Sequence, residues 1–302
     1  MPAAERILDF SSARAFLSVR QKQIIIRTDD QPTLSVPLEE TAVVILAGPE
    51  VTLTQPLLAE LVDRNATVVI SNASHLPTGM LLPLSGNALS TQRLYLQVAM
   101  KRPFAKRLWQ QVVRCKVLSQ ARALAHFDAD PESLRILADD VRSGDPDNIE
   151  SQAAARYWTL LFDGFDFQRR FDRDDANRLL NYGYAVLRAA VARAICGAGL
   201  HPALGIHHRA RGNPFCLADD LMEPYRPLVD IEVRTIVGEQ GLDAPLDPAN
   251  KRRLVAAATQ RLEHDGENRS GFEWFDRTAQ SVVRSLTEGD AHVFYPDSLW
   301  RL

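Results

Sequence analysis

Strand-type alternation over the first seventy residues, helical periodicity from about residue 88, and a proline- and glycine-rich break between them predict an α+β fold. The expected architecture is a small N-terminal β-sheet domain followed by a larger all-α domain. The boundaries drawn from the pattern are residues 1–74 for the β domain, 75–90 for a linker and 91–302 for the α-helical domain.

The strands are read from β-branched runs. Ala15 to Val19 and Gln23 to Arg27 flank a short polar turn, and Leu34 to Val36, Ala42 to Leu46 and Thr67 to Ile70 follow. One helix interrupts them: Thr54 is placed as its N-cap, Pro56 suits its first turn, and Leu57, Leu58, Leu61 and Val62 form its apolar stripe. From Ala88 the apolar residues recur at helical spacing, and Pro103 marks a break or the first turn of a new helix. Further helices are expected at about 131–142, 148–162, 174–199, 215–238, 248–264 and 271–287.

Three cysteines, Cys115, Cys196 and Cys216, are odd in number and widely spaced, which fits reduced thiols and neither a disulfide framework nor a C-x-x-C metal motif. With no charged leader before an apolar run and no stretch long enough to span a bilayer, a soluble cytoplasmic protein with no membrane partner is expected. Overall the chain is slightly acidic, 35 Lys and Arg against 38 Asp and Glu, which does not advertise a polyanionic partner. The average hides an asymmetry. Between Arg64 and Phe127 there is no acidic residue but nine basic ones, including Arg93, Lys101, Arg102, Lys106, Arg107, Arg114, Lys116 and Arg122. An ordinary solvated helix face mixes signs, because oppositely charged residues four apart support a helix. This run has no such pairs within it, and a polyanion would be drawn to it.

Glu150, His208 and Glu223 are candidate metal ligands, since two carboxylates and an imidazole suit Mn²⁺ or Mg²⁺, and such an ion organises attack on a phosphodiester. With 38 acids and 7 histidines in the chain, such triplets also arise by chance. Each member has a plainer alternative: Asp147 and Glu150 as a capping box, His208 as a satisfied loop histidine, and Glu223 facing solvent. Pro224 cannot donate to the Asp220 carbonyl, so a helix through this region should kink or end beside Glu223. Tyr182 and Tyr184 flank Gly183 in a pattern that suits a close helix crossing.

Several segments, in this order, resemble the CRISPR-associated integrase family known as Cas one. They are Val51-Thr52-Leu53-Thr54, Lys106 to Gln111, Lys116 to Ala121, Asn148 to Trp158, Leu179 to Ala185, Gly199 to Pro202, Gly205-Ile206-His207-His208, and Asp220 to Pro227. The last two are similar to members from type II systems. The resemblance implies an enzyme of CRISPR adaptation and antiviral defence, a metal-dependent endonuclease and integrase that inserts short protospacer DNA into the CRISPR array by transesterification. Its implied ligands and catalytic residues are Glu150, His208 and Glu223, with Mg²⁺ or Mn²⁺ as cofactor. The family-like spacing of fifteen residues back from Glu223 selects His208 over His207. Many members carry an aspartate as third ligand where this chain has Glu223, which changes reach without changing charge. His207, Asp220, Asn181 and Tyr184 are candidates for support behind the ligands, and Arg64, Lys101, Arg102, Lys106 and Arg107 for DNA contacts. Implied partners are double-stranded protospacer DNA, CRISPR leader-repeat DNA, a second copy of the chain, the Cas two protein and other type II CRISPR proteins. The competing readings are a catalytically idle DNA-binding scaffold of the same fold and a stand-alone metallonuclease.

Overall fold

The computed structural model describes residues 6–10, 14–29, 31–48, 50–71, 77–83 and 87–301. Its N-terminal part contains two four-stranded sheets. One runs in the order β1 (Arg6–Phe10), β5 (Thr41–Leu46), β7 (Thr67–Ser71), β8 (Pro77–Leu81), parallel except at the last pair. The other runs β4 (Leu34–Pro37), β3 (Gln23–Arg27), β2 (Ala15–Arg20), β6 (Val51–Leu53). Between them lies α1 (Gln55–Asp63), with Pro56 in its first turn and Thr54 at the N-cap as expected, although the Thr54 side chain makes no capping bond.

Alternation along β5 explains its unbroken apolar sequence. Val44 joins Leu17, Ile24, Leu57 and Leu61 in the core of the β part, whereas Val43 and Ile45 point the other way, into the core of the helices. The helical core therefore begins on a sheet. Segment 75–90, expected to be a linker, instead contributes the edge strand β8, because its apolar residues find a partner in β7 despite the flanking prolines. Residues 75–76 and 84–86 of that segment lie outside the described residues.

The helices are α2 (Ser90–Val98), α3 (Arg102–His126), α4 (Glu132–Asp139), α5 (Ile149–Leu161), α6 (Ala176–Gly197), α7 (Cys216–Met222), α8 (Arg226–Gln240), α9 (Pro248–Ala258) and α10 (Gly271–Glu288). Pro103 sits in the first turn of α3, its missing N–H costing nothing there. The 22-residue α6 is buried along nearly its whole length and packs against α7, α8, α9 and α10. Gly183 is what lets α8 approach: a Cβ there would lie 2.4 Å from Val229 Cγ1.

The helix expected over 248–264 stops at Ala258. Leu262–His264 and Glu267–Arg269 form an antiparallel hairpin, β9 and β10, turned by Asp265 and Gly266, both with positive φ. Beyond α10 the chain packs back on itself. Gln111 donates to the Ala291 carbonyl (2.8 Å) and accepts from the Val293 N–H (3.0 Å), while the buried Tyr295 donates to the Leu221 carbonyl (3.3 Å). Among the described residues no helix is long and apolar enough to cross a membrane.

Candidate functional site

Glu150 sits in the first turn of α5, where an acid complements the helix dipole. The alternative reading of Asp147 and Glu150 as a capping box does not hold: Asp145, not Asp147, accepts from the Ile149 and Glu150 N–H groups (2.8 and 3.0 Å), while Asp147 holds Arg142 through both carboxylate oxygens. Asn148 supplies the left-handed residue (φ 54°) that lets the loop turn into the helix.

At Pro224 the chain behaves as the sequence requires. α7 ends at Met222, a 3₁₀ turn covers Glu223–Tyr225, and α8 begins at Arg226. Glu223 thus lies at a break between helices, buried, pointing at α3.

From α3, Lys116 reaches into the space between these two acids. Its Nζ lies 2.7 Å from Glu150 Oε1 and 2.6 Å from Glu223 Oε2, and Glu223 Oε1 accepts from Arg226 Nε at 2.9 Å. Burial alone would raise the Glu223 pKa, but the Arg226 and Lys116 charges outweigh it and hold the carboxyl at about 2. Lys116 is likewise kept charged: desolvation is overcome by Glu223 and Glu150, and its pKa rises. Despite the short ion pair, Glu223 Oε2 has no aligned hydrogen-bond donor. It is a buried anionic oxygen whose neighbouring cation is Lys116.

The histidines sit on a loop locked by Asp220. This fully buried carboxylate accepts from the His207 N–H (2.9 Å), the His208 N–H (3.3 Å) and His208 Nδ1 (2.6 Å). Gly205 is obligatory for this tightness, since a Cβ there would meet the His208 carbonyl at 2.3 Å and Asp220 Oδ2 at 2.9 Å. The Asp220 bond is the main cause of a raised His208 pKa, whereas burial, then the neighbouring His208 charge, lowers that of His207. His207 stacks on the buried Trp109 at 4.3 Å between centroids, so Trp109 is core and a backing for the loop. With Nδ1 committed to Asp220, Nε2 of His208 is the nitrogen left to bind.

The three candidate ligands are therefore brought to one region, but their donor atoms do not converge to within 4.8 Å of one another. Among the described residues the set that does is His264, Asp265 and Asp297. There, His264 Nδ1 already accepts from the Asp297 N–H (3.3 Å) and Asp297 pairs with Arg301 (2.6 Å), so these groups fasten the C-terminal segment to the β9–β10 hairpin.

Of the other candidates, Asn181 accepts from Arg169 (2.9 Å) and donates to the Phe171 carbonyl (3.0 Å), making no contact with a ligand. Tyr184 donates to Asp230, as does Tyr157 (2.9 Å), and Arg226 lies 4.5 Å over the Tyr184 ring. Tyr184 thus braces Arg226, which in turn holds Glu223. A cavity of about 160 Å³ opens beside Glu223, lined by Lys116, Arg169, Tyr184, Arg226 and Asp230. Lys116, Arg226 and Asp230 are site residues that the motifs did not single out.

Burial pushes the Asp230 carboxyl up to about 6, against hydrogen bonds from Tyr184 and Tyr157 and the charges of Arg226 and Arg169. The folded chain then holds this proton more tightly than the unfolded chain, where the group titrates near 3.8. Its stabilising contribution is complete at pH values below 3.8 and is lost as pH rises through about 6. Asp230→Asn removes that dependence. Between pH 5 and pH 7.5 its stability relative to wild type should rise by about 1 kcal/mol, read from melting temperatures at the two pH values.

Among the expected DNA contacts, Lys101, Arg102, Lys106 and Arg107 are exposed at the start of α3 and pair with no acidic side chain among the described residues. Arg64 forms an ion pair with Glu60 one turn earlier. Arg114 pairs with Asp139 (2.8 Å), Arg93 donates to the Ala198 carbonyl (2.6 Å) and Arg122 to the Arg301 carbonyl (3.1 Å).

Residues 10–245 match the family described as CRISPR associated protein Cas1. The CRISPR-associated endonuclease Cas1 of Neisseria meningitidis serogroup C (strain 8013) is 39% identical over 277 residues, covering 91% of this chain and 90% of that protein. Among solved structures, a casposase bound to integration product superposes with a TM-score of 0.75 at 19% identity, over 95% of this chain and 92% of that one. A Cas6-RT-Cas1–Cas2 complex does so with 0.77 at 20% identity, over 97% of this chain and 36% of that one. The two structures share the fold, and the family match and the Neisseria relative carry the kinship: the chain belongs to the Cas1 family of CRISPR-associated endonucleases.

Proposed function

We propose that this chain is a metal-dependent DNA integrase of CRISPR adaptation, and that Glu150, His208 and Glu223 hold a Mg²⁺ or Mn²⁺ ion. The observation that carries the reading is the pair of carboxylates, one from the first turn of α5 and one from the break between α7 and α8, facing one cation, with an imidazole on a neighbouring loop whose Nδ1 is anchored. Carboxylate and imidazole donors suit Mn²⁺ and Mg²⁺, and the buried, ionised Glu223 Oε2, which faces the Lys116 ammonium without an aligned hydrogen bond, is an oxygen that a metal cation would satisfy. When bound, such an ion lowers the pKa of an attacking hydroxyl and offsets charge on the phosphorus.

The chain's own groups do the rest. Asp220 orients His208 and fixes its tautomer, Asp145 holds the first turn of α5 so that Glu150 cannot drift, and Arg226 braced on Tyr184 fixes Glu223. Lys101, Arg102, Lys106 and Arg107 supply the phosphate-contacting surface, with Arg64 at lower weight because Glu60 already neutralises it. Residues 91–302 form the catalytic part in this reading. The substrates are protospacer and leader-repeat DNA, joined through attack of a fragment 3′-hydroxyl on a phosphodiester. The integration product in the casposase structure and the Cas2 protein in the other neighbour support DNA and Cas2 as partners. A homodimer is the proposed working form of the chain.

The adjacent histidines test the site. His208→Ala is expected to eliminate strand transfer at every Mn²⁺ concentration. His207→Ala loses a stacking contact worth roughly 1 kcal/mol and should stay within about tenfold of wild type. A reversed pattern would move the ligand by one residue.

A further inference from the structure

Lys116 belongs to none of the roles assigned so far, yet it is the side chain that joins the two acids. Its ammonium touches both carboxylates from a largely buried position, and it lines the cavity that opens beside Glu223. Without it, two carboxylates would face each other with Arg226 as the only other cation on either of them among the described residues.

We propose that Lys116 is a tethered counter-ion that occupies the cation position in the metal-free protein and is displaced by the metal into the adjoining cavity. This rests on the metal-centre reading above. A divalent ion bound to the same two oxygens would lie next to a positive ammonium, and like charges that close inside a protein repel strongly. The lysine stem is flexible, and its point charge is not locked into a fixed fork as that of an arginine would be. The cavity offers the displaced ammonium a place to go, beside the Asp230 carboxyl, and there it adds to Arg226 and to Arg169, which donates to the neutral Asn177 and Asn181. Binding of metal thus exchanges an internal ion pair for a free positive charge at the site where a DNA phosphate would arrive. By linkage, DNA that uses this charge must tighten metal binding by the same factor that metal tightens DNA.

The test is Mn²⁺ affinity, measured from the electron paramagnetic resonance of free Mn²⁺, with melting temperatures recorded in parallel without metal. Lys116→Met is expected to bind Mn²⁺ at least tenfold more tightly than wild type and to melt several degrees lower when metal-free, with the deficit closing as Mn²⁺ is added. Lys116→Arg, which keeps the charge, should not gain affinity. If Lys116→Met does not fold without metal, Lys116→Gln is measured in its place, with a gain of at least threefold expected. Unchanged or weaker Mn²⁺ binding in the uncharged variants, while Glu223→Gln abolishes binding, would overturn the counter-ion role and leave the metal centre standing. Absence of binding to wild type and all variants would overturn both.

Discussion

Glu223→Gln and Glu150→Gln are each expected to lower strand transfer by on the order of 10³-fold or more while leaving DNA affinity within about threefold of wild type. Both changes keep shape and remove charge. The loss follows from the geometry: each carboxylate has one oxygen turned to the cation between them, and neither lies on the exposed start of α3. Strand transfer with Mn²⁺ or Mg²⁺, compared with gel-shift affinity on the same DNA, separates the two functions. Normal integration by both variants would remove these residues from the reaction.

The second large effect concerns binding. Replacing Lys101, Arg102, Lys106 and Arg107 together by glutamine is expected to weaken DNA binding by on the order of 10²-fold near physiological salt. It should also flatten the slope of log affinity against log salt by roughly 3, since each phosphate contact contributes about 0.7 to 0.9. An unchanged slope would make this face an ordinary solvated one. Lys106 also packs its stem against Gly144, so melting temperature and oligomeric state are measured first.

What the sequence made legible was local chemistry on regular elements. The β-branched runs became strands, Pro103 opened a helix, Pro224 broke one, and the two acids flagged by type and order pair with one lysine. A short strand escapes such reading, since three residues such as Val51–Leu53 make no pattern without the partner strand that fixes them. The helix expected over 248–264 ends early because Asp265 and Gly266, both at positive φ, turn a hairpin that periodicity alone does not reveal.

Lys116 shows why charge runs mislead. Counted along the chain it is one of nine bases in an acid-free stretch, yet Trp109, Val112, Val113, Lys116, Val117, Gln120 and Leu124 form one helical stripe, and the rest of that stripe is largely buried. A lysine and a glutamine on an apolar face were the available signal that something inside needed them. Conversely, Glu60 and Asp139 lie just outside the run and neutralise Arg64 and Arg114, which a count between two positions cannot see.

The return of the C-terminal segment sets an order of events during synthesis. Glu223 stands at the end of α7, and the Leu221 carbonyl of that helix is held by Tyr295, while Gln111 of α3, the helix that also carries Lys116, is held by the backbone at 291 and 293. A nascent chain that has already exposed both acids to the cell still lacks the groups that fix the two helices bearing Glu223 and Lys116 relative to each other. Under the proposed metal centre, a chain stalled before residue 291 is therefore expected to hold Glu150, His208 and Glu223 without the bonds that fix α3 and α7 in place.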